Sequence, residues 1–291
     1  MGAVARRMLL PVDEDRCLPL LNTFPTDQYR DWSVLFRNGW NRIDDVVGVG
    51  VFDDGNAVGY LGTIQTERHL GGHVFRTVSL STWYVLKEYR AHSMDLQRAV
   101  LEYDRCVVVG HTPIPQIMKR YDSLGYRSFD TNVRLLFPHP KGLFGMRDGV
   151  GVTVGLEAIS PHLTDVERTL VADHLPYGCV PIRVASTDGR STNLIAQRVM
   201  RRYKGFTLPT AHIVYLSDPA FFAEVSVVCR GDIMRHMRSR LIAMDARMYP
   251  SSAASFSMLV PLVTPRIYRS TFEIDTSLLD NLYSELVLFS F

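Results

Sequence analysis

Tyr84-Val-Leu-Lys-Glu-Tyr-Arg-Ala-His-Ser-Met-Asp-Leu-Gln-Arg-Ala-Val100 decides the fold, because an extended apolar run ends there in a polar turn that opens into an amphipathic helix. Upstream, Val78 to Leu86 is rich in β-branched, aromatic and aliphatic residues and carries Trp83 and Tyr84 near its end, the composition of a buried strand. Downstream, Leu96, Ala99, Val100 and Tyr103 recur at i, i+3, i+4 and i+7, one apolar helical stripe. The first N–H groups of a helix have no intrahelical partner and point outward, so a strand delivered into a helix start makes an anion cradle. Arg90, just ahead of the turn, puts a guanidinium within reach of a phosphate. A plain strand-to-helix connection with a solvated Arg and His has the same local pattern.

A second segment narrows the choice. Cys106-Val-Val-Val-Gly110 is a short apolar strand, followed by His111-Thr-Pro-Ile-Pro115 and then Gln116-Ile-Met-Lys-Arg-Tyr-Asp-Ser-Leu-Gly-Tyr126. Ile117, Met118, Tyr121 and Leu124 line one helical face, and Gly125 stands where a left-handed cap ends the helix.

Together the two segments resemble the GNAT acetyltransferase family. There, an Arg/Gln-x-x-Gly-x-Gly/Ala loop after a strand wraps the pyrophosphate of acetyl-CoA, and a later strand and helix end in Tyr-x-x-Leu-Gly-Phe. Residue by residue, Arg90 matches the first loop position, Ser93 falls on the first glycine and Asp95 on the second; Tyr121, Leu124, Gly125 and Tyr126 match the second motif. Over residues 1–140 the resemblance implies an α/β (α+β) mixed-sheet domain. It implies acetyl-CoA, or another acyl-CoA, as co-substrate, held by Leu86, Arg90, Ala91, His92, Ser93, Met94, Asp95 and Leu96. It also implies Tyr121 as the acid that protonates the departing CoA thiolate. Neither glycine is present, and a carboxylate at Asp95 stands near the expected place of two phosphates.

Many family members place a glutamate base on the strand before the loop, whereas Val78 to Leu86 offers Ser79, Ser81 and Thr82 but no carboxylate. His111, at the exit of the next strand, has the intrinsic acidity of a general base near neutrality, and is equally readable as a loop histidine. Glu67 and His92 are weaker candidates.

Before the loop, Asp13 to Leu21 and Tyr29 to Asn38 read as helices, Asp45 to Phe52 as a strand, Asp53-Asp-Gly-Asn56 as a turn and Ala57 to Thr66 as the returning strand, with Gly71-Gly72 turning the chain again. Around Pro138-His-Pro-Lys-Gly142 the pattern pauses, which sets the expected domains at 1–140 and 141–291. The rear half repeats the order: helix Leu163 to His174, strand Val180 to Ser186, turn Thr187 to Arg190, strand Leu194 to Val199, strand Ala211 to Leu216, helix Pro219 to Arg235 and strand Arg240 to Ala246. It is expected to be a degenerate second copy in tandem, because Ser217-Asp-Pro-Ala-Phe221 at the loop position offers a Pro without N–H and a carboxylate. Such a copy would pack against the first and shape an acceptor pocket. Asp173 and His174 are adjacent on a helix and point about 100° apart, so they form no dyad with each other. The tail combines an expected helix, Ser277 to Tyr283, with an apolar end, Leu286 to Phe291, tied down as an edge strand or against the core; a partner interface, and with it a homodimer, is the alternative.

Composition excludes several classes. The 291 residues, 46% hydrophobic and 21% charged, describe a globular chain, and a net charge of +2 gives no reason to expect nucleic acid or an anionic membrane as partner. Arg201-Arg202-Tyr203-Lys204 is a short basic cluster, a solvated turn or a local anion site. Cys17, Cys106, Cys179 and Cys229 are widely separated without a Cys-x-x-Cys pair, as in a reducing cytoplasm, and no metal site is expected. The start lacks the apolar core of about 7–15 residues that a signal peptide needs, and no run approaches the roughly 18 apolar residues that span a bilayer. The expected function is transfer of an acyl group to an amine or hydroxyl of a small molecule. A non-catalytic binding or dimerisation module is the alternative that Asp95 favours, and an aminoacyl-tRNA-dependent peptidyltransferase is another that would need a basic channel.

Overall fold

Residues 48–70 and 73–85 form a long antiparallel meander, because β-branched and aromatic residues favour extended chain and Asp54-Gly55 supplies the turn between the first two strands. In the computed structural model, which describes residues 5–26, 30–40, 43–70, 73–143, 149–203, 205–249 and 255–290, the chain divides into two units. In the first, β1 (Ala5–Leu9), β2 (Gly48–Asp53), β3 (Asn56–Leu70) and β4 (His73–Val85) pair antiparallel in order. Asp54 (φ 48°) and Gly55 (φ 80°) make the β2–β3 turn, the left-handed pair that matches strand twist in a two-residue hairpin. A crossover helix over Ser93–Val100 joins β4 to β5 (Cys106–Gly110), which pairs parallel to β4. The helices of this unit are α1 (Glu14–Leu21), α2 (Val34–Arg37), α3 (Ser93–Val100) and α4 (Met118–Ser123). Leu96, Ala99 and Val100 of α3 are buried against Val49, Val51, Val78 and Val108, as the apolar stripe requires. Gly125 (φ 80°) ends α4 in the expected left-handed cap.

The expected helix from Tyr29 to Asn38 is shorter in the structure. Residues 27–29 lie outside the described residues, and the Asp31 carboxylate accepts from the Ser33 N–H (3.0 Å), a local turn that delays the helix to Val34. Gly71-Gly72, Lys204 and Phe291 also lie outside them.

The second unit contains β6 (Arg127–Leu136), β7 (Val150–Val154), β8 (Cys179–Ser186), β9 (Ser191–Tyr203), β10 (Phe206–Leu216) and β11 (Leu241–Asp245), with α5 (Pro140–Leu143), α6 (Leu156–Ile159), α7 (Asp165–His174) and α8 (Pro219–His236). The first residues of β6, up to Phe129, group with the first unit. The sheet runs β6-β11-β10-β9-β8-β7, with β10 and β11 parallel across α8 and the other neighbours antiparallel. This antiparallel ribbon followed by a parallel strand–helix–strand crossover is the succession found in the first unit. Thr164 and Glu167 form a reciprocal capping box at the start of α7. Among the described residues no helix is long and apolar enough to cross a membrane.

The C-terminal part departs from the expectation. Strand β12 (Ser257–Ser270), to which the sequence pattern gave no element because Pro261 and Pro265 interrupt it, ends in residues that pair with β5 from Ile267↔Gly110 to Ser270↔Val107. Residues 266–278 and 283–289 belong to the first unit, and the units divide at 129/130 rather than at 140/141. No helix spans Ser277 to Tyr283. Asp275 and Asp280 accept from the Ser277 and Leu282 N–H groups, a 3-10 turn covers Thr276–Leu278, and Tyr283 sits at φ 51°. The helix comes later, as α9 (Glu285–Leu288), with Leu286 and Val287 buried.

Candidate active site

The site grows from the place where β4 and β5 part. Their parallel pairing runs from Arg76↔Cys106 to Leu80↔Gly110; β5 stops there while β4 continues to Val85. In the β3–β4 register Leu61 faces Trp83 and Gly62 faces Ser81, so Thr82 is an extra residue, a bulge that bends the strand just past the last parallel pair. Ser81 to Trp83 thus border the opening in the strand pairing where β4 runs on alone, with His111 and Thr112 following β5 on its other side.

Beyond β4 the chain makes a 3-10 turn, Lys87–His92, and enters α3. The Leu86 N–H bonds to the Val58 carbonyl (2.9 Å), and the Tyr89 hydroxyl bonds to Asp53, which fix the turn to the hairpin. Arg90 and Ala91 are exposed and Ser93 and Leu96 are buried. The 3-10 turn runs directly into the helix, with the Ser93 N–H bonded to the Arg90 carbonyl, and His92 adds no side-chain cap. The Asp95 carboxylate lies 3.1 Å from the Arg98 guanidinium and 3.6 Å from His92 Nδ1, so it is turned along the helix toward Arg98.

Tyr121 reaches the opening from α4. It is 4% exposed, its ring centre 5.7 Å from Trp83 and 4.9 Å from Tyr126, and Tyr126 donates to Gln97 of α3 (3.1 Å). Burial pushes the Tyr121 hydroxyl well up, with the Glu285 charge adding to it, so the phenol keeps its proton at neutral pH. His111 is 5% exposed, with Nδ1 3.4 Å from the Arg266 guanidinium. Arginine has donors only, so Nδ1 is the acceptor and the proton of that tautomer sits on Nε2. A base role through Nε2 would require the ring to change tautomer.

The residue the sequence reading missed is Glu285. Its side chain is buried (5% exposed), accepts from the Thr112 hydroxyl, and hydrogen-bonds to the Ser81 hydroxyl and the Thr82 N–H of the bulge, with the Arg30 charge nearby. Burial pushes its carboxyl up from the usual range, and those donors and Arg30 act in the other direction. The signal was a lone carboxylate in an otherwise apolar run, Leu286 to Phe291 preceded by Glu285. The weaker candidates fall elsewhere. Glu67 and His69 pair with each other at the surface of the β3–β4 ribbon (3.1 Å), and the His174 ring is buried with Nδ1 on the Leu170 carbonyl (2.7 Å). All four cysteines are buried free thiols; burial pushes Cys17, Cys179 and Cys229 up to about 12 and raises Cys106, which leaves no thiolate nucleophile at neutral pH. Among the described residues no cluster of His, Cys, Asp and Glu suits a metal.

No protein-family model matches the sequence and no curated protein matches it significantly. Solved structures do match in shape. A GCN5-related N-acetyltransferase from Anabaena variabilis superposes with TM-score 0.59 at 9% identity, covering 92% of this chain and 73% of that one. One from Kribbella flavida gives 0.53 at 13% identity over 92% and 71%, and a conserved protein of Enterococcus faecalis V583 gives 0.55 at 12% identity over 93% and 73%. The chain has the GNAT fold. The motif residues lie on the turn and helix after β4, and Tyr121 lies on α4. The two glycines absent from the loop are replaced by a buried Ser93 and by an Asp95 that faces Arg98.

In the second unit the corresponding helix start is occupied. The Asp218 carboxylate accepts from the Phe221 N–H (2.9 Å) and Pro219 stands at the first helical position. The bulge of β10 at Val214 is buried, and its carbonyl accepts from the Asn281 N–H (3.1 Å).

Proposed function

We propose that this protein is an acyltransferase that moves an acetyl or other acyl group from acyl-CoA to an amine or hydroxyl of a small molecule, with a single donor site in the first unit. The observation that carries the reading is the place where β4 outruns β5, bordered by the Thr82 bulge and by Tyr121 packed on Trp83, and followed by the turn that enters α3. The pyrophosphate of the donor binds along Leu86 to Leu96, the turn and the start of α3, with Arg90 as the cationic side chain. The residues present suit an anion there, since Asp95 is already engaged by Arg98 and His92. Tyr121 hydrogen-bonds the departing sulfur and gives up its proton as the C–S bond breaks. The second unit, with Asp218 and Pro219 at its helix start, carries no donor site. The buried free thiols support a reducing cytoplasm as its compartment.

Calorimetric titration of the full chain with acetyl-CoA tests the reading. Binding is expected, and Asp95→Asn is expected to tighten it by about two- to fivefold at low salt, since a like charge at a few ångströms in high dielectric is worth up to ~1 kcal/mol. Added salt should shrink that gain. No heat of binding at millimolar acetyl-CoA would overturn the reading.

A further inference from the structure

The proposed reaction needs an acceptor for a proton, and the strand that faces the opening supplies none. Thr112 and Glu285 are 173 residues apart in sequence, yet their side chains are hydrogen-bonded beside that opening. We propose that Glu285 is the general base of the acyl transfer and that the Thr112 hydroxyl relays the acceptor's proton to it, an inference that rests on the acyl-transfer reading above.

Three donors converge on the Glu285 carboxylate: the Thr112 hydroxyl just past β5, and the Ser81 hydroxyl and Thr82 N–H on β4. They come from the two strands at the point where they separate, so the carboxylate stands at the base of the opening. Thr112 is exposed whereas Glu285 is buried, which makes the hydroxyl the outer member of the pair and the one an incoming amine or hydroxyl would meet.

The carboxylate is held in place by its helix. Leu286 and Val287 are buried, α9 packs on β4, and Phe289 meets Trp32 edge to face at 5.5 Å. Just before the helix, Tyr283 meets Trp40 in the same way at 5.4 Å. Such support keeps a reacting group within the tolerance that catalysis needs. The charged and titratable groups facing Glu285 are Arg30, whose guanidinium lies over the Phe289 ring at 5.3 Å, and Tyr121. Burial raises the carboxyl and thereby makes it a stronger base than a surface glutamate.

The step balances. An acceptor that arrives as an ammonium first loses one proton through Thr112 Oγ1 to Glu285, which passes it to solvent, a step that an already neutral nucleophile skips. As the neutral nitrogen or oxygen then bonds to the thioester carbon, its next proton passes to Thr112 Oγ1 while the Thr112 proton passes to Glu285. The tetrahedral oxyanion then collapses, the C–S bond breaks, and the sulfur takes the Tyr121 proton. Solvent returns a proton from Glu285 to Tyr121, so nothing is oxidised or reduced.

The test uses the full chain, acetyl-CoA as donor, and release of the CoA thiol as readout with two acceptors. Ethanolamine is largely protonated near neutrality and needs a base, while hydroxylamine is already a free nucleophile there. Glu285→Gln is expected to lower turnover with ethanolamine by about 10²–10³-fold, the range of general-base catalysis, with a far smaller fall for hydroxylamine. It should also abolish the rising limb of the wild-type pH profile. Thr112→Val, which keeps the shape and deletes the relay hydroxyl at an exposed position, should lower the ethanolamine rate by about tenfold with the same sparing of hydroxylamine. An equal fall with both acceptors, an unchanged rate, or a faster rate in Glu285→Gln would overturn the assignment. Wild-type protein that binds acetyl-CoA but releases CoA to neither acceptor overturns it too and leaves a binding protein; failure to bind acetyl-CoA removes the acyl-transfer reading itself.

Discussion

Cutting the chain after residue 140 should leave the first unit unable to fold, although that fragment contains every sequence motif of the donor site. The fragment loses Ile267, Leu286 and Val287, all almost fully buried in the intact chain. Each such side chain is worth about 1.5–3 kcal/mol of transfer free energy, roughly 5–9 kcal/mol for the three. It also strips the β5 edge of its partner over Val107 to Gly110, where each lost backbone hydrogen bond costs about 0.5–1.5 kcal/mol. Together these losses match the entire stability of an ordinary domain, about 5–15 kcal/mol. Near-ultraviolet circular dichroism and a thermal melt of fragment 1–140 should show no fixed aromatic environment and no cooperative transition. Joining residues 266–289 to the fragment through a long Gly/Ser linker should restore both. A fragment 1–140 that melts cooperatively and binds acetyl-CoA as the full chain does would refute the reasoning and show that the C-terminal residues are dispensable.

Three further outcomes are expected. Tyr121→Phe keeps the ring packed against Trp83 and Tyr126 but removes the proton, so kcat should fall by about 10²-fold with little change in KM for acetyl-CoA; an unchanged kcat under chemistry-limited conditions would reduce Tyr121 to packing. The Glu285 carboxyl is raised in the folded state, so the stability linked to its proton is full below the ordinary glutamate value of about 4.3 and is lost as pH rises through the raised value. The Tm of Glu285→Gln should therefore gain on the wild type as pH rises above the ordinary glutamate value, and a constant difference would contradict the burial of the group. Asp218→Ala should cost about 0.5–2 kcal/mol of stability through the lost helix cap while leaving acetyl-CoA affinity unchanged, which chemical denaturation and calorimetry would check together.

Local sequence determined the local parts of this protein. The β-branched run before Leu86, the apolar stripe Leu96, Ala99 and Val100, the Asp54-Gly55 turn and the Gly125 cap each rest on interactions within a few residues, and each is where the pattern placed it. The crossover order β4-α3-β5 follows from the same short-range signals, as does its repeat around α8. What the tertiary structure decided lies in pairs far apart in the chain. Prolines in β12 hid a strand whose last residues complete the β5 edge, and side-chain bonds from Asp275 and Asp280 displaced the expected tail helix toward Glu285. Whether Asp95 faces a phosphate or Arg98 depends on rotamers and neighbours that spacing does not carry. The meeting of Glu285 with Thr112, Ser81 and Thr82 is legible only in three dimensions, because a hydrogen bond between residues 173 positions apart leaves no periodicity in either segment. Periodicity reports which face of an element is buried; only the folded chain reports what that face meets.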